Sequence, residues 1–277
     1  MIVLDPVMGD EGQLYIPADE VPAYKSLLQD ADLILPNQFE AELLSGTKFT
    51  SLSSITTAIQ ILHKTYKIPH IIITSMRLTP STPAPASDTL PNPEILTIIG
   101  STATSTLTPR LWRIDIPAYP VFFSGTGDML AALMSFRLRE AVFAAGLQNI
   151  PRWWTPDEVG ATELPLAKAA ERALASMHCV LGKTYEEYLV EVERIKGEGL
   201  EAHLRRTKAA EIRVVSNANV LREPPDVEKY RAGVLDTGLR VNDMMGSEEL
   251  ERKTMGGDLR DGVVPVVSDG RYAPGSS

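Results

Sequence analysis

Cysteine is almost missing from this sequence: Cys179 is the only one in 277 residues. A lone cysteine cannot close an intramolecular disulfide, which points to a reducing, cytosolic compartment. An excess of positive charge is also missing, with 27 Lys and Arg against 36 Asp and Glu and a formal charge of −9. That balance, with no cluster of basic residues, excludes a general nucleic-acid binder, because phosphate contacts need Lys and Arg in surplus. No apolar run reaches the roughly 20 residues that span a bilayer. The most apolar stretch, PVFFSGTGDMLAALMSF, carries Asp128 in its middle, and a membrane span is excluded. The opening MIVLDPVMGDEG lacks the basic and apolar regions of a secretory leader, so none is expected. What is present is a 44% hydrophobic content, enough to fill the core of one large α/β domain or two small ones.

The coarse pattern alternates strands and helices. Ile2-Val3-Leu4, Leu33-Ile34-Leu35 and Ile71-Ile72-Ile73-Thr74 are short apolar, β-branched runs that read as buried strands. Between them, helical spacing covers residues 20–30, a helix opens at Asn37 and closes at Gly46, and another runs from about Ser53 to Tyr66. Strand, helix, strand, helix, strand predicts a mostly parallel sheet with helices on its faces. Residues 77–93, RLTPSTPAPASDTLPNP, are too rich in Pro, Ser and Thr for either ladder or helix and read as a loop insertion. Further strands are expected at 95–100 and 111–116. Thr155-Pro-Asp-Glu158 and Thr184-Tyr-Glu-Glu187 each show Thr followed three residues later by Glu, a pattern that starts helices. Glu211–Val215 reads as a last strand, and 232–277, with scattered charge and little periodicity, as a disordered tail.

Three segments carry polar residues where a parallel sheet builds its sites, just past the carboxyl ends of its strands. They are Asp5-Pro-Val-Met-Gly-Asp10, Pro36-Asn-Gln-Phe-Glu40 and Gly125-Thr-Gly-Asp128. Each also has a purely structural explanation: turn formers at Asp5 and Asp10, an Asn-x-x-Glu cap at Asn37 and Glu40, and a glycine turn into a helix. The third segment carries the most chemistry. Two glycines at a strand-to-helix junction let backbone N–H groups approach an anion, which the helix dipole also favours. Asp128 beside them could accept a proton from a hydroxyl attacking phosphorus. Asp10, Glu40 and the Asn37 amide are oxygen ligands suited to Mg²⁺, directly or through water. Nucleotide, metal and base together describe a kinase.

With these residues in view, VLDPVMGDEGQLYIPADEVPAYKSLLQDADLILPNQFEAELLSG resembles pyridoxal kinase of the ribokinase-like (PfkB) superfamily, and GTGDMLAALM resembles that family's catalytic signature. The similarity runs from the first residue to about Arg231. It implies a three-layer α/β sandwich over 1–231, and ATP-dependent phosphorylation of the 5′-hydroxyl of pyridoxal, pyridoxine and pyridoxamine. By resemblance Asp128 is the catalytic base, and Gly125, Thr126 and Gly127 hold the transferring phosphoryl group. Asp10 lies near Mg²⁺ and the nucleotide phosphates, Asn37 contacts those phosphates, and Glu40 is a cation-site acid. Asp5 lies near a monovalent cation, Thr74 and Ser75 contact ATP, and Tyr119 and Phe123 lie where the family covers the adenine. Leu35 departs from the family, in which Thr often precedes the Pro-Asn pair. That change is harmless if the position serves the monovalent cation through its carbonyl.

An absence qualifies the resemblance. In the resembled fold about three β-α units, on the order of 90 residues, precede the strand that ends at Asp5, and they carry most of the vitamin pocket. The sequence therefore predicts an N-terminally incomplete kinase domain with Ile2–Leu4 as an exposed hydrophobic edge, and weak or no turnover by this chain alone. Relatives of this kind often form homodimers. Two alternatives stand beside this expectation: a non-catalytic nucleotide-binding or regulatory fragment, and a hydroxymethylpyrimidine kinase, which commonly has Cys where this chain has Asp128. The four histidines lack metal-site spacing, and His63 and His178 read as packing residues. Cys179 reads as a buried thiol, and Trp153-Trp154 as an apolar staple onto a following helix.

Overall fold

A computed structural model describes residues 1–10, 12–76, 94–197 and 199–235. The expected loop at 77–93 and the tail beyond 235 lie outside the described residues. The β-branched runs form the strands they predict. β1 (Val3–Leu4) pairs in parallel with β4 (Leu33–Ile34), and β4 pairs in parallel with β5 (His70–Met76). A small hairpin, β2 (Gly9–Asp10) with β3 (Gln13–Leu14), occupies what the sequence gives no reason to call more than a loop. β6 (Ile95–Ala103) and β7 (Pro109–Pro117) follow as an antiparallel pair. Only residues 104–108 join them, and a parallel neighbour would need a crossover of about a dozen residues or more. The sheet order is β1-β4-β5-β6-β7-β8, where β8 is Gly233–Val234. β1, β4, β5 and β7 point one way, β6 and β8 the other. β1 is an outer strand, as expected, with Ile2 exposed beside it.

Helices cover both faces, giving the three-layer sandwich. Along β5, Ile71 and Ile73 face a cluster with Leu28, Leu44, Ile55, Ile59 and Leu62. These come from α1 (Val21–Leu27) and its 3-10 extension, α2 (Gln38–Ser45) and α3 (Leu52–Tyr66). Ile72, between them, faces the opposite cluster with Trp112, Leu133, Leu138 and Leu174, under α4 (Thr126–Ala144) and α5 (Pro165–Arg194). This is the period-2 alternation of a sheet buried on both sides. The helix starts follow their caps: Asn37 and Ser51 each form a capping box, and Gly46 closes α2 in the left-handed conformation at φ 71°.

Six expectations fail, most of them to a long-range contact. No helix starts at Thr155. The carbonyls of Thr155, Pro156 and Val159 accept from the Arg110 guanidinium at 3.0, 2.6 and 3.1 Å, which gathers them into a turn that does not continue as a helix. Trp153 therefore staples no helix at 155; it sits in a 3-10 turn and packs on the core beneath α4 and α5. Thr184 does not cap a new helix but lies inside the 30-residue α5, bonding back to the Val180 carbonyl at 2.8 Å. The same hydroxyl accepts from the Arg213 N–H at 3.2 Å, which is why Glu211–Val215 is no strand but a link from α6 (Leu200–Ala209) to α7 (Ala218–Arg222). The expected tail begins too early: Val234 pairs with Trp112, and Leu235 is buried. Cys179, expected buried, is only partly so.

His63 and His70 are packing residues with a measurable consequence. The carbonyl of Ile68, 2.6 Å from His63 Nδ1, can only accept, so Nδ1 carries the proton and Nε2 accepts from Ser101 Oγ at 2.8 Å. His70 Nδ1 lies 3.1 Å from Thr102 Oγ1. Burial holds both imidazoles neutral, lowering each from 6.5 to about 4. Below pH 6.5 the unfolded chain takes up protons that the folded chain refuses. Stability should therefore be level above pH 7 and fall towards pH 4, by up to about 1.4 kcal/mol per pH unit for each histidine. Urea midpoints at pH 7.5 and 5.0 measure it, and His63→Asn should show a shallower dependence.

Candidate active site

The carboxyl ends of β1, β4, β5 and β7 lie along one edge of the sheet. Past β4, the capping box of α2 does more than start a helix. Asn37 Oδ1 accepts the Glu40 N–H at 2.9 Å, and Glu40 Oε2 accepts the Asn37 N–H at 2.9 Å. Glu40 Oε1 also takes the Met8 N–H at 2.7 Å, while Asn37 Nδ2 donates to the Gly9 carbonyl at 2.7 Å. Two residues expected at a cation and a phosphate thus tie the segment after β1 to α2. Burial pushes the Glu40 carboxyl up; the N–H groups of Asn37, Met8 and Gly9 pull against that shift, and the charge of Asp5 adds to it. Gly9 is a site residue that sequence reasoning missed. A Cβ there would lie 2.7 Å from the Phe39 ring and closer still to the Gln13 carbonyl, so only glycine lets the hairpin fold back this tightly. It presents Asp10, which is exposed on β2.

Past β5, the Thr74 N–H donates to the Pro36 carbonyl at 2.9 Å, and Asn37 and Thr74 form a parallel bridge. Ser75 has a left-handed backbone at φ 57°, where the pairing of β5 with β6 shifts register. This bulge turns Ser75 out to solvent at the same edge. Nothing in the residues around Ser75 signals it.

Gly125 is the N-cap of α4 at φ 88°, with open space where a Cβ would be. It is required for its conformation. No side chain caps α4, so the N–H groups of its first turn remain available at the positive end of the helix. The Asp5 carboxylate lies against that turn: a Cβ on Gly127 would sit 3.2 Å from Asp5 Oδ2. Burial pushes the Asp5 carboxyl up, the Val7 N–H opposes this, and the nearby charge of Asp128 raises it further. Asp128 itself is exposed on the first turn, beside Thr126 and Gly127. The structure thus brings Asp5, Asn37, Glu40, Thr74, Ser75 and the Gly125–Asp128 turn to one edge. Among the described residues no three acidic, His or Cys side chains form a ready metal cluster. Asp5, Asp10 and Glu40 do not make a closed cage.

Residues 1–107 match the family model described as phosphomethylpyrimidine kinase. A putative pyridoxal kinase of Schizosaccharomyces pombe is 32% identical over 222 residues, covering 80% of this chain and 61% of that protein. The pyridoxal kinase of Arabidopsis thaliana is 31% identical, covering 80% and 58%. The solved pyridoxal kinase of Leishmania donovani, in complex with ADP and pyridoxamine, superposes with a TM-score of 0.57 at 25% identity, covering 84% of this chain and 60% of that one. Over about four-fifths of its length the chain is similar to pyridoxal kinases. It spans about three-fifths of the length of the curated relatives it matches.

Within this pyridoxal kinase relative, two expected adenine-side residues turn inward. Phe123 is buried with Leu181 and Ala210, and Tyr119 packs edge-on to Phe123 at 5.9 Å between ring centres. Phe122, which sequence reasoning passed over, is the exposed aromatic of this loop, at 87%. Leu35 is core, and its N–H donates to the Leu4 carbonyl. Its side chain packs in the cluster under α4 and α5. No helix among the described residues is long and apolar enough to cross a membrane.

Proposed function

We propose that this chain binds Mg-ATP along the edge defined by Asp10, Asn37, Thr74, Ser75 and the Gly125–Gly127 turn, and transfers the terminal phosphoryl group to the 5′-hydroxyl of pyridoxal, pyridoxine or pyridoxamine. The observation that carries this is the uncapped first turn of α4, entered through a left-handed Gly125 and holding Asp128 beside its free N–H groups. Such a turn suits a phosphoryl group whose charge grows in the transition state. Asp128 takes the proton of the attacking hydroxyl as the new O–P bond forms and ADP leaves. Bound Mg²⁺ would neutralise phosphate charge, and Asp10 and Asp5 are the carboxylates placed to hold it with the nucleotide's own oxygens. Glu40, its oxygens occupied by backbone N–H groups, acts by fixing the Asp5–Asp10 segment. A monovalent cation beside Asp5, a homodimer and a cytoplasmic location belong to the same proposal.

A second reading, nucleotide binding without turnover, is favoured by the partial span of the relatives together with β1 standing outermost in the sheet. Calorimetric titration with Mg-ATP, followed by a labelled phosphoryl-transfer assay to pyridoxal, separates the two. Saturable Mg-ATP binding with transfer supports the kinase, and binding with no transfer supports the second reading. A chain that does not bind Mg-ATP overturns both.

A further inference from the structure

The loop that leads from β7 to the Gly125 turn packs against one stretch of α5, with Ala210 beyond α6 closing on Phe123. His178 Nε2 lies 3.2 Å from the Pro117 carbonyl, the last residue of β7. Since a carbonyl can only accept, Nε2 carries the proton, leaving Nδ1 as an acceptor 3.4 Å from Tyr119 Oη. That hydroxyl also lies 3.4 Å from the His178 carbonyl. The two rings face each other at 5.0 Å and 33°. One turn further along the same face is Gly182. A Cβ there would lie 2.9 Å from Tyr119 Oη. Glycine is among the poorest residues for a helix interior, and here it admits the Tyr119 hydroxyl against the helix. Tyr119 in turn packs on Tyr185 at 5.3 Å and edge-on to Phe123, two residues before Gly125. A run of contacts therefore extends from His178 and Gly182 through Tyr119 and Phe123 to the turn.

We infer that His178 and Gly182 form a latch on Tyr119 that positions the Gly125–Asp128 turn for nucleotide phosphate. It rests on the proposed Mg-ATP site. His178 and Gly182 are positioning residues, acting through the loop.

The decisive variant is Gly182→Ala in the full chain. Alanine is the better helix former, so as a purely structural change it should leave thermal stability equal or higher. Its methyl group nevertheless displaces Tyr119. The expected result is an unchanged or raised Tm with Mg-ATP binding weakened about tenfold by calorimetry. His178→Ala should weaken Mg-ATP binding by a similar factor, and His178→Gln, which keeps a donor for the Pro117 carbonyl, should recover most of the loss. Mg-ATP binding within twofold of the parent in both Gly182→Ala and His178→Ala, with the fold intact by circular dichroism, overturns the latch. If Gly182→Ala loses stability in step with affinity, the glycine is structural and the latch is overturned as well. Failure of the parent chain to bind Mg-ATP strikes the proposed function instead, so the two failures are distinguishable.

Discussion

Asp128→Asn should abolish most phosphoryl transfer to pyridoxal, lowering the single-turnover rate by about a hundred- to ten-thousandfold, the range that general-base removal produces. Nucleotide binding should move the other way. The carboxylate stands at an uncapped helix start with Asp5 close by, and an anionic phosphate entering that turn meets its charge. Removing the charge while keeping the shape should leave Mg-ATP binding no weaker than in the parent. Loss of rate with retained affinity is the signature of a group that acts on the attacking hydroxyl rather than on the nucleotide. A third readout comes from the neighbour. Because the Asp128 charge helps to raise the Asp5 carboxyl, the Asn variant should titrate Asp5 at lower pH, which carbon-detected NMR of the side chain follows directly. If transfer falls and Asp5 does not move, the two acids are not coupled as the geometry implies. If rate and affinity fall together, Asp128 serves binding, and the base lies elsewhere.

The parallel half of the fold is legible because its signals are local. Each β-branched run stops at a Pro or a polar residue, and the caps at Asn37 and Ser51 stand next to the helices they start. The antiparallel half is less so. Strands at 95–100 and 111–116 can be placed by composition, but their direction depends on the connection between them. The failures at Thr155 and 211–215 share one cause: the polar group that decides each lies 29 to 49 residues away, at Arg110 or Thr184, while Thr184 itself falls inside the uninterrupted α5. A capping pattern read from four residues cannot see it. The site shows the same division. Gly125 and Asp128 announce themselves through the glycine spacing, whereas Glu40 reads equally as a cap or as a metal ligand. In the structure it is a cap whose second oxygen also grips the segment after β1. Ser75 and the His178 latch depend on a bulge and on a helix residue 59 positions downstream of Tyr119, and neither leaves a local trace.

The strongest stability effect should come from a residue with no side chain. Gly100 lies opposite Trp112 in the β6–β7 register. Trp112 is fully buried, and its indole crosses the strand to fill the space over Gly100. A Cβ on Gly100 would meet Cη2 at 2.5 Å and two further ring atoms at shorter range. The ring has little room to retreat, because Leu133, Leu138 and Leu174 close the same cluster. Gly100→Ala should therefore lie at the upper end of overpacking costs, about 3 kcal/mol, lowering Tm by roughly 6–12 °C at the scale of 2–4 °C per kcal/mol for a domain of this size. Trp112→Leu alone should cost about 2–4 kcal/mol through the cavity it opens. The two changes should not add. With the indole gone the new methyl occupies part of the vacated volume, so the double variant should be more stable than the sum by about 1–3 kcal/mol. Urea unfolding of the parent, both single variants and the double closes the cycle. Simple additivity would show that Gly100 is fixed by its backbone and not by the ring across the strand.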